Sequence, residues 1–421
     1  MHRPSEIEVL YLDFDGFFAS VEQLADRSLR GRPIGVVPFA GTTRTCVIAC
    51  SREAKNYGVK NVMNVLDAKR LCPDLVLVPQ KPDLYRRAHN ALISEITAVT
   101  PVDAIKSIDE LTCKVQLSDR SDPRGLGARI KRRLAETIGA SITCSIGFAA
   151  NRQLAKMACK AGKRTDCSYG DGLIVWHPAD MNGPLLPIPL GDIPGVGGNM
   201  LRRLERAGIK TMAQLLATAP KHLRQIWGNV TGERLWYALH GYALQTQPSG
   251  RAMYGHGRVL PPGSRRPKQA KEMSRLLLIK AARRMRRDGW YAGALWLSLD
   301  TRAGAVHRST TLPAVHDYQA VLDGLERLWA GLLPHMDRRE QAFRVHVALL
   351  DLTPANERQL DLLLNDDPAR RKCEAVSAAI DSINARYGAT LVSIGPWNPP
   401  AGGHAGGKIS YTRIPRAEDF W

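Results

Sequence analysis

The stretch Ile7-Glu8-Val9-Leu10-Tyr11-Leu12-Asp13-Phe14-Asp15-Gly16-Phe17-Phe18-Ala19-Ser20-Val21-Glu22 changes character halfway along. Residues 7–12 are a short apolar-rich run, as in a buried strand, and the run ends in Asp13. Beyond it Phe18, Val21 and Leu24/Ala25 recur at helical spacing, with Asp15 placed to cap that helix. Working outward, 47–49 and 76–78 read as strands, with helical signals over 51–71 between them. Residues 102–106 and 111–117 read as the arms of a hairpin whose corner is Ser107-Ile108-Asp109-Glu110. Helical runs at 125–137 and 152–161 enclose a strand near 141–147. Strands mixed with helices over the first 170 residues predict an α+β or α/β core.

A chain of 421 residues has room for about three domains. Its 44% hydrophobic and 24% charged residues exclude wholesale disorder. Lys and Arg number 59 against 40 Asp and Glu, and the resulting +19 concentrates a polyanion at the surface. Nucleic acid is therefore the first partner to consider, ahead of an anionic membrane. No stretch approaches the roughly 18 apolar residues of a membrane span, and residues 1–8 lack the apolar core of a signal peptide. The eight cysteines contain no CxxC pair, so neither zinc nor a disulfide framework is expected. A cytoplasmic protein with reduced thiols and no membrane partner fits best.

Pro184, Pro187, Pro189 and Pro194 crowd at one candidate domain edge, and a Gly/Pro-rich stretch at 249–267 marks a second. Residues 195–245 are helical in pattern between them. After 267 come a strongly basic amphipathic helix and two strand-like segments, 292–299 and 343–350, flanking a helix at 318–332. That is an α+β module of its own. The tail from Thr353 holds one helical stretch, 373–385, and a Gly/Pro-rich run at 395–407, and is expected to be loosely packed or partly disordered.

Three acids stand out by context. Asp13 closes an apolar strand, where a lone carboxylate is costly to bury without a cation beside it. Asp109 and Glu110 are adjacent, so a straight strand would point them to opposite faces; a hairpin corner would not. Convergence of the three would give an all-oxygen site suited to Mg²⁺. Two such ions about 3.5–4 Å apart stabilise the attacking and leaving oxygens of a phosphoryl displacement.

Asp13-Phe14-Asp15-Gly16-Phe17-Phe18-Ala19-Ser20-Val21-Glu22, followed 96 positions after Asp13 by Ser107-Ile108-Asp109-Glu110, resembles the signature of Y-family translesion DNA polymerases. The likeness continues through Ser145-Ile146-Gly147-Phe148-Ala149 and Asn151-Arg152-Gln153-Leu154-Ala155-Lys156, and in order over roughly the first 350 residues. It implies a right-hand polymerase: palm at 1–30 and 80–170, fingers at 31–79, a helical thumb at 171–247, an α+β little finger at 252–352, and a tail at 353–421. Asp13, Asp109 and Glu110 match the family's catalytic metal-binding acids, and the Phe14 carbonyl a backbone ligand, for two Mg²⁺ ions with Mn²⁺ as substitute. Phe18 occupies the steric-gate position, which blocks a ribose 2′-hydroxyl.

A triphosphate carries about four negative charges and needs cations and N–H groups around it. The N–H groups of Phe17 and Phe18 near a helix start are suited to this. Lys55 and Lys163 match basic family positions. Arg52, also expected to bind the nucleotide through phosphate, stands where many members have tyrosine, Ala49 where many have threonine, and Arg164 where a proline is usual. These departures keep open a second reading, a polymerase-like accessory scaffold in damage tolerance; a helix-hairpin-helix nuclease is a third.

Asp192-Ile193-Pro194-Gly195-Val196-Gly197-Gly198-Asn199 has the Gly-x-Gly turn of a helix-hairpin-helix, so Gly195, Gly197, Arg202 and Arg203 are expected to hold DNA phosphates. From Arg265 to Trp290 ten Lys/Arg face two acids, and Arg283, Arg284, Arg286 and Arg287 are expected to grip the duplex. In the tail Gln359-Leu360-Asp361-Leu362-Leu363 resembles the peptide by which bacterial polymerases dock on the sliding clamp. This peptide and the Ser51–Lys55 segment make the chain look closer to the polymerase V catalytic subunit (UmuC-like) than to the DinB branch. The implied enzyme is a template-directed, error-prone DNA polymerase transferring dNTP to a primer 3′-hydroxyl on primed template DNA, with SOS accessory proteins as partners.

Overall fold

The computed structural model describes residues 1–39, 41–163, 170–245, 250–335, 340–358, 367–395 and 414–420. It divides into two compact units, Met1–Gln247 with Ile409–Ile414, and Pro248–Lys408 with Pro415–Trp421.

The first unit carries eight strands: β1 (Val9–Phe14), β2 (Ile34–Val37), β3 (Ala49–Cys50), β4 (Val76–Pro79), β5 (Val102–Ile105), β6 (Glu110–Lys114), β7 (Cys144–Ala149) and β8 (Leu173–Val175). Five of them make one sheet in the order β5-β6-β1-β7-β8, with β1 antiparallel to both neighbours. β1 is central because nearly every residue in it is apolar, and Leu10, Leu12 and Phe14 are buried. Asp13 is thus inside the strand rather than just beyond it. β7 is buried along its whole length, and Gly147 explains how. A Cβ there would lie 2.2 Å from both the Ala155 carbonyl oxygen and the Cys159 nitrogen. The helix Arg152–Ala161 therefore packs on β7 backbone to backbone.

Residues 31–79 have a small core of their own, built on Val37, Val47, Val59, Val65 and Leu75, under the three-stranded sheet β3-β2-β4. The proline-rich region at 184–194 is not a break between compact units. Ile193, Leu204, Leu223 and Leu235 of the helical region share one core with Tyr11, Leu154 and Trp176.

The second unit is a four-stranded sheet of β9 (Tyr254–Val259), β10 (Trp290–Thr301), β11 (Gly304–Val315) and β12 (Ala342–Pro354) in the order β11-β10-β12-β9. The helices Pro267–Arg287 and Tyr318–Leu332 share its core through Leu277, Ala281, Leu325 and Trp329. The expectation of a loose tail fails for two segments. The helix Asp367–Tyr387 docks on this unit through Ser377, Ile380 and Asn384, all buried, and Ala417–Phe420 forms a turn with Asp419 buried. The clamp-like residues 359–363 lie outside the described residues.

Candidate active site

The site forms where β1 ends and the helix Phe17–Ala25 begins. Gly16 is the N-cap with φ 56°, a left-handed conformation that L side chains resist. Its missing side chain matters too, since a Cβ would come to 3.0 Å from the Cys50 carbonyl oxygen and 3.8 Å from Lys55 Nζ. The tight turn thereby brings the first-turn N–H groups of Phe17 and Phe18 near the Lys55 ammonium. Asp15 does not cap the helix. Its carboxylate instead accepts hydrogen bonds from Thr143 Oγ1 at 3.0 Å and Ser145 Oγ at 2.9 Å, fastening the turn to β7. Arg52 opens the next short helix, Arg52–Asn56, and is exposed.

Asp13 on β1 is the register partner of Glu110 on β6. Cross-strand partners of this kind have Cα atoms about 4.5–5.5 Å apart. Glu110 is the first residue of its strand rather than part of the corner, and the Phe14 N–H donates to the Asp109 carbonyl oxygen at 2.9 Å. All three acids therefore sit at one end of β1 and β6. Their side chains, however, each engage a neighbour. Lys163 Nζ donates to Asp13 Oδ1, and Ser107 Oγ to Asp109 Oδ1. Lys156 Nζ meets both Glu110 oxygens, at 2.9 and 3.0 Å, and the Tyr11 hydroxyl donates to Oε2 at 2.8 Å. Among the described residues no three acidic, His or Cys side chains converge closely enough to share an ion. The backbone thus gathers the three acids, and the Asp13 and Glu110 side chains come within hydrogen-bonding reach of each other, but with their present partners the three do not form one cluster.

Burial and ion pairing act differently on the acids. Burial, with Asp109 and Glu110 nearby, pushes the Asp13 carboxyl up to about 7 even though Lys163 pulls it down. Burial would also raise Glu110, but hydrogen bonds from Lys156 and Tyr11 outweigh it and hold that carboxyl below its ordinary value. Asp13 and Asp15 face the ammonium of Lys163, and Glu110 faces that of Lys156. An oxygen-rich donor set of carboxylates fits a hard divalent cation.

Sequence reasoning left Tyr11, Lys156, Ser107 and Asp15 without a role in the site. A signal for Lys156 was available. Arg152, Lys156, Lys160 and Lys163 recur at steps of four, four and three, which sets a basic stripe along one helical face. Its lysines reach Glu110, Asp192 and Asp13 in turn.

The nucleic-acid candidates divide. Gly195 has φ 97°, and at Gly195, Gly197 and Gly198 a Cβ would meet nothing within 4 Å, so this turn presents bare backbone. The helix Gly198–Arg206 follows, and no side chain caps its first N–H groups. Arg202 bonds to Asn199 Oδ1, and Arg203 Nη1 donates to the Trp227 carbonyl at 3.4 Å. The four arginines of the basic helix need correction. Arg284 is buried and donates to the Gly255 carbonyl at 2.8 Å. Arg286 holds Asp381 at 2.6 and 2.8 Å. Arg283 reaches the Glu418 carbonyl, and Arg287 the Glu418 carboxylate at 2.7 Å. All four therefore have partners within their own unit, two of them through tail carboxylates, although Arg287 stays exposed.

Carboxylates gathered at the ends of two interior strands beside a helix N-terminal turn, with a separate helical Gly-x-Gly hairpin, fit an enzyme of nucleotidyl transfer that holds nucleic acid. The comparisons agree. Residues 12–160 match the impB/mucB/samB family, 191–242 the DNA polymerase-iota thumb domain, and 251–362 the impB/mucB/samB family C-terminal domain. The chain is 32% identical over 406 residues to DNA polymerase IV of Moorella thermoacetica, covering 92% of this chain and 95% of that protein. It is 28% identical over 399 residues to DNA polymerase IV 1 of Bacillus subtilis, covering 92% of each. A solved Y-family DNA polymerase chimera of Dbh and Dpo4 superposes with TM-score 0.68 at 22% identity, over 82% of this chain and 99% of that one. The chain belongs to the Y-family DNA polymerases, the impB/mucB/samB family. It has their fold, with a helix-hairpin-helix thumb and a little finger, and it is a DNA-directed DNA polymerase of the translesion type.

Proposed function

We propose that Asp13, Asp109 and Glu110, with the Phe14 carbonyl, hold two Mg²⁺ ions, for which Mn²⁺ can substitute, during dNTP addition to a primer. The observation that carries this is the Asp13–Glu110 register pair, which gathers the acids at one end of two interior strands, where burial and the neighbouring acids push the Asp13 carboxyl up. Divalent ions there supply a lowered pKa for the primer hydroxyl and neutralise charge on the departing pyrophosphate. The chain's own residues do the positioning. The N–H groups of Phe17 and Phe18 with Lys55 take the triphosphate, joined by Lys163, and Arg52 borders the same turn. The Phe18 ring excludes a 2′-hydroxyl. Gly195, Gly197, Arg202 and Arg203 hold backbone phosphates without reading bases, which suits distorted templates.

Relatives of several genera bear the name DNA polymerase IV, which favours the DinB branch over the UmuC-like reading of the Ser51–Lys55 segment. Residues 1–30 and 80–170 serve as palm, 31–79 as fingers and 171–247 as thumb. The protein acts in the cytoplasm, and residues 359–363 tether it to the sliding clamp in an SOS setting. Among the described residues no helix is long and apolar enough to cross a membrane. Primer extension on undamaged and abasic templates tests the reading: lengthened primers are expected with Mg²⁺. Bound but unextended primer would point to a scaffold, and shortened primer to a nuclease. Deleting 359–363 should remove clamp-stimulated synthesis and spare basal synthesis.

A further inference from the structure

We propose that Lys163 is a built-in counter-cation for Asp13 which a divalent ion must displace, and that Asp15 is the acceptor that receives it. This rests on the reading of Asp13, Asp109 and Glu110 as the metal site. Lys163 Nζ bonds directly to Asp13 Oδ1, an oxygen that a divalent ion would need. A second carboxylate is already within reach, as Asp15 Oδ1 lies 3.7 Å from the same ammonium. Asp15 is a fixed landing point, because Thr143 and Ser145 hold its two oxygens at 3.0 and 2.9 Å. Lys163 itself follows the end of the helix Arg152–Ala161, beyond Gly162, so its side chain can move without disturbing helical packing.

The other lysine is placed differently. Lys156 contacts both oxygens of Glu110 on a carboxylate that Tyr11 also holds. It belongs to the helix that packs directly on β7. Lys156 is a permanent partner, whereas Lys163 shares one oxygen and has an alternative. Two positive charges cannot occupy the same carboxylate oxygen at close range in a partly buried site without strong repulsion. Entry of a divalent ion at Asp13 therefore moves Lys163 to Asp15. An incoming triphosphate, also attractive to that ammonium, favours the same displacement, so nucleotide and metal assist each other's binding.

The test is Mn²⁺ titration of the full-length chain without nucleotide, read by electron paramagnetic resonance, with melting curves in parallel. Lys163→Gln removes the competitor and should tighten Mn²⁺ binding by about three- to tenfold. It should also lower the melting temperature in metal-free buffer and enlarge the rise produced by Mg²⁺. Lys163→Arg keeps the charge and should bind like wild type. Asp15→Asn should weaken Mn²⁺ binding only while Lys163 is present, a non-additivity that mere structural damage would not produce. Unchanged or weaker binding by Lys163→Gln, alongside loss of binding in Asp109→Ala, overturns the displacement and leaves the metal site standing. Wild-type-like Mn²⁺ binding by Asp109→Ala overturns the metal reading and this proposal together.

Discussion

The ring of Phe18 lies flat on that of Tyr85, with centroids 4.4 Å apart and planes inclined at 17°. Tyr85 is itself fixed, its hydroxyl donating at 2.8 Å to Glu22, which is fully buried and paired with Lys81 at 2.7 Å. A half-buried aromatic held from beneath is a rigid wall rather than a mobile side chain. Phe18→Ala should admit ribonucleotides at least tenfold more readily, measured as the ratio of kcat/KM for rNTP and dNTP. Tyr85→Leu should shift the same ratio by less, through a looser ring. Unchanged sugar discrimination in Phe18→Ala contradicts the gate.

At Gly147, β7 meets the Ala155 and Cys159 backbone with no room for a side chain. Gly147→Ala forces strand and helix apart and should cost about 3 kcal/mol or more. The same shift would carry Lys156 away from Glu110. Denaturant unfolding checks the first effect, and activity under conditions where the variant is still folded checks the second.

Gly16→Ala tests the phosphate turn. The positive φ and the 3.0 Å approach to the Cys50 carbonyl both oppose a side chain, at a cost of about 1–2 kcal/mol. Because the turn presents the Phe17 and Phe18 N–H groups, KM for dNTP should rise several-fold while primer–template affinity is unchanged. Equal losses in both would argue against a local role.

The second unit contains a pH-sensitive histidine. Burial, with Arg286 and Arg358 nearby, pushes His316 down from 6.5 to about 4. The unfolded chain then takes up a proton near pH 6.5 that the folded one refuses until near 4, so stability is lost as pH falls through that window. His316 stacks on Tyr291 at 4.1 Å, so His316→Phe can retain the packing. The variant's melting temperature should fall less than wild type between pH 6.5 and 4.5.

What the sequence discloses here follows the distance over which each feature is built. Asp13, Gly16 and Phe17 form a strand, a turn and a helix within a few residues, and local pattern suffices to read them. The Asp13–Glu110 pairing spans almost a hundred positions and became legible only through the spacing of two motifs considered together. Tyr11 looked like any strand aromatic, since nothing local reveals that its hydroxyl meets Glu110. The basic helix misled for a related reason. Arg286 finds Asp381 95 positions away and Arg287 finds Glu418 131 positions away, so two cations of a run that seemed to await DNA are already paired.

Single-turnover primer extension by wild type, Asp13→Ala and Asp109→Ala, with primer–template affinity measured in parallel, tests the metal-site assignment most directly. Loss of extension by at least a thousandfold in both variants, with DNA affinity within about twofold of wild type, is the expected result. Extension by either variant at near the wild-type rate would contradict it.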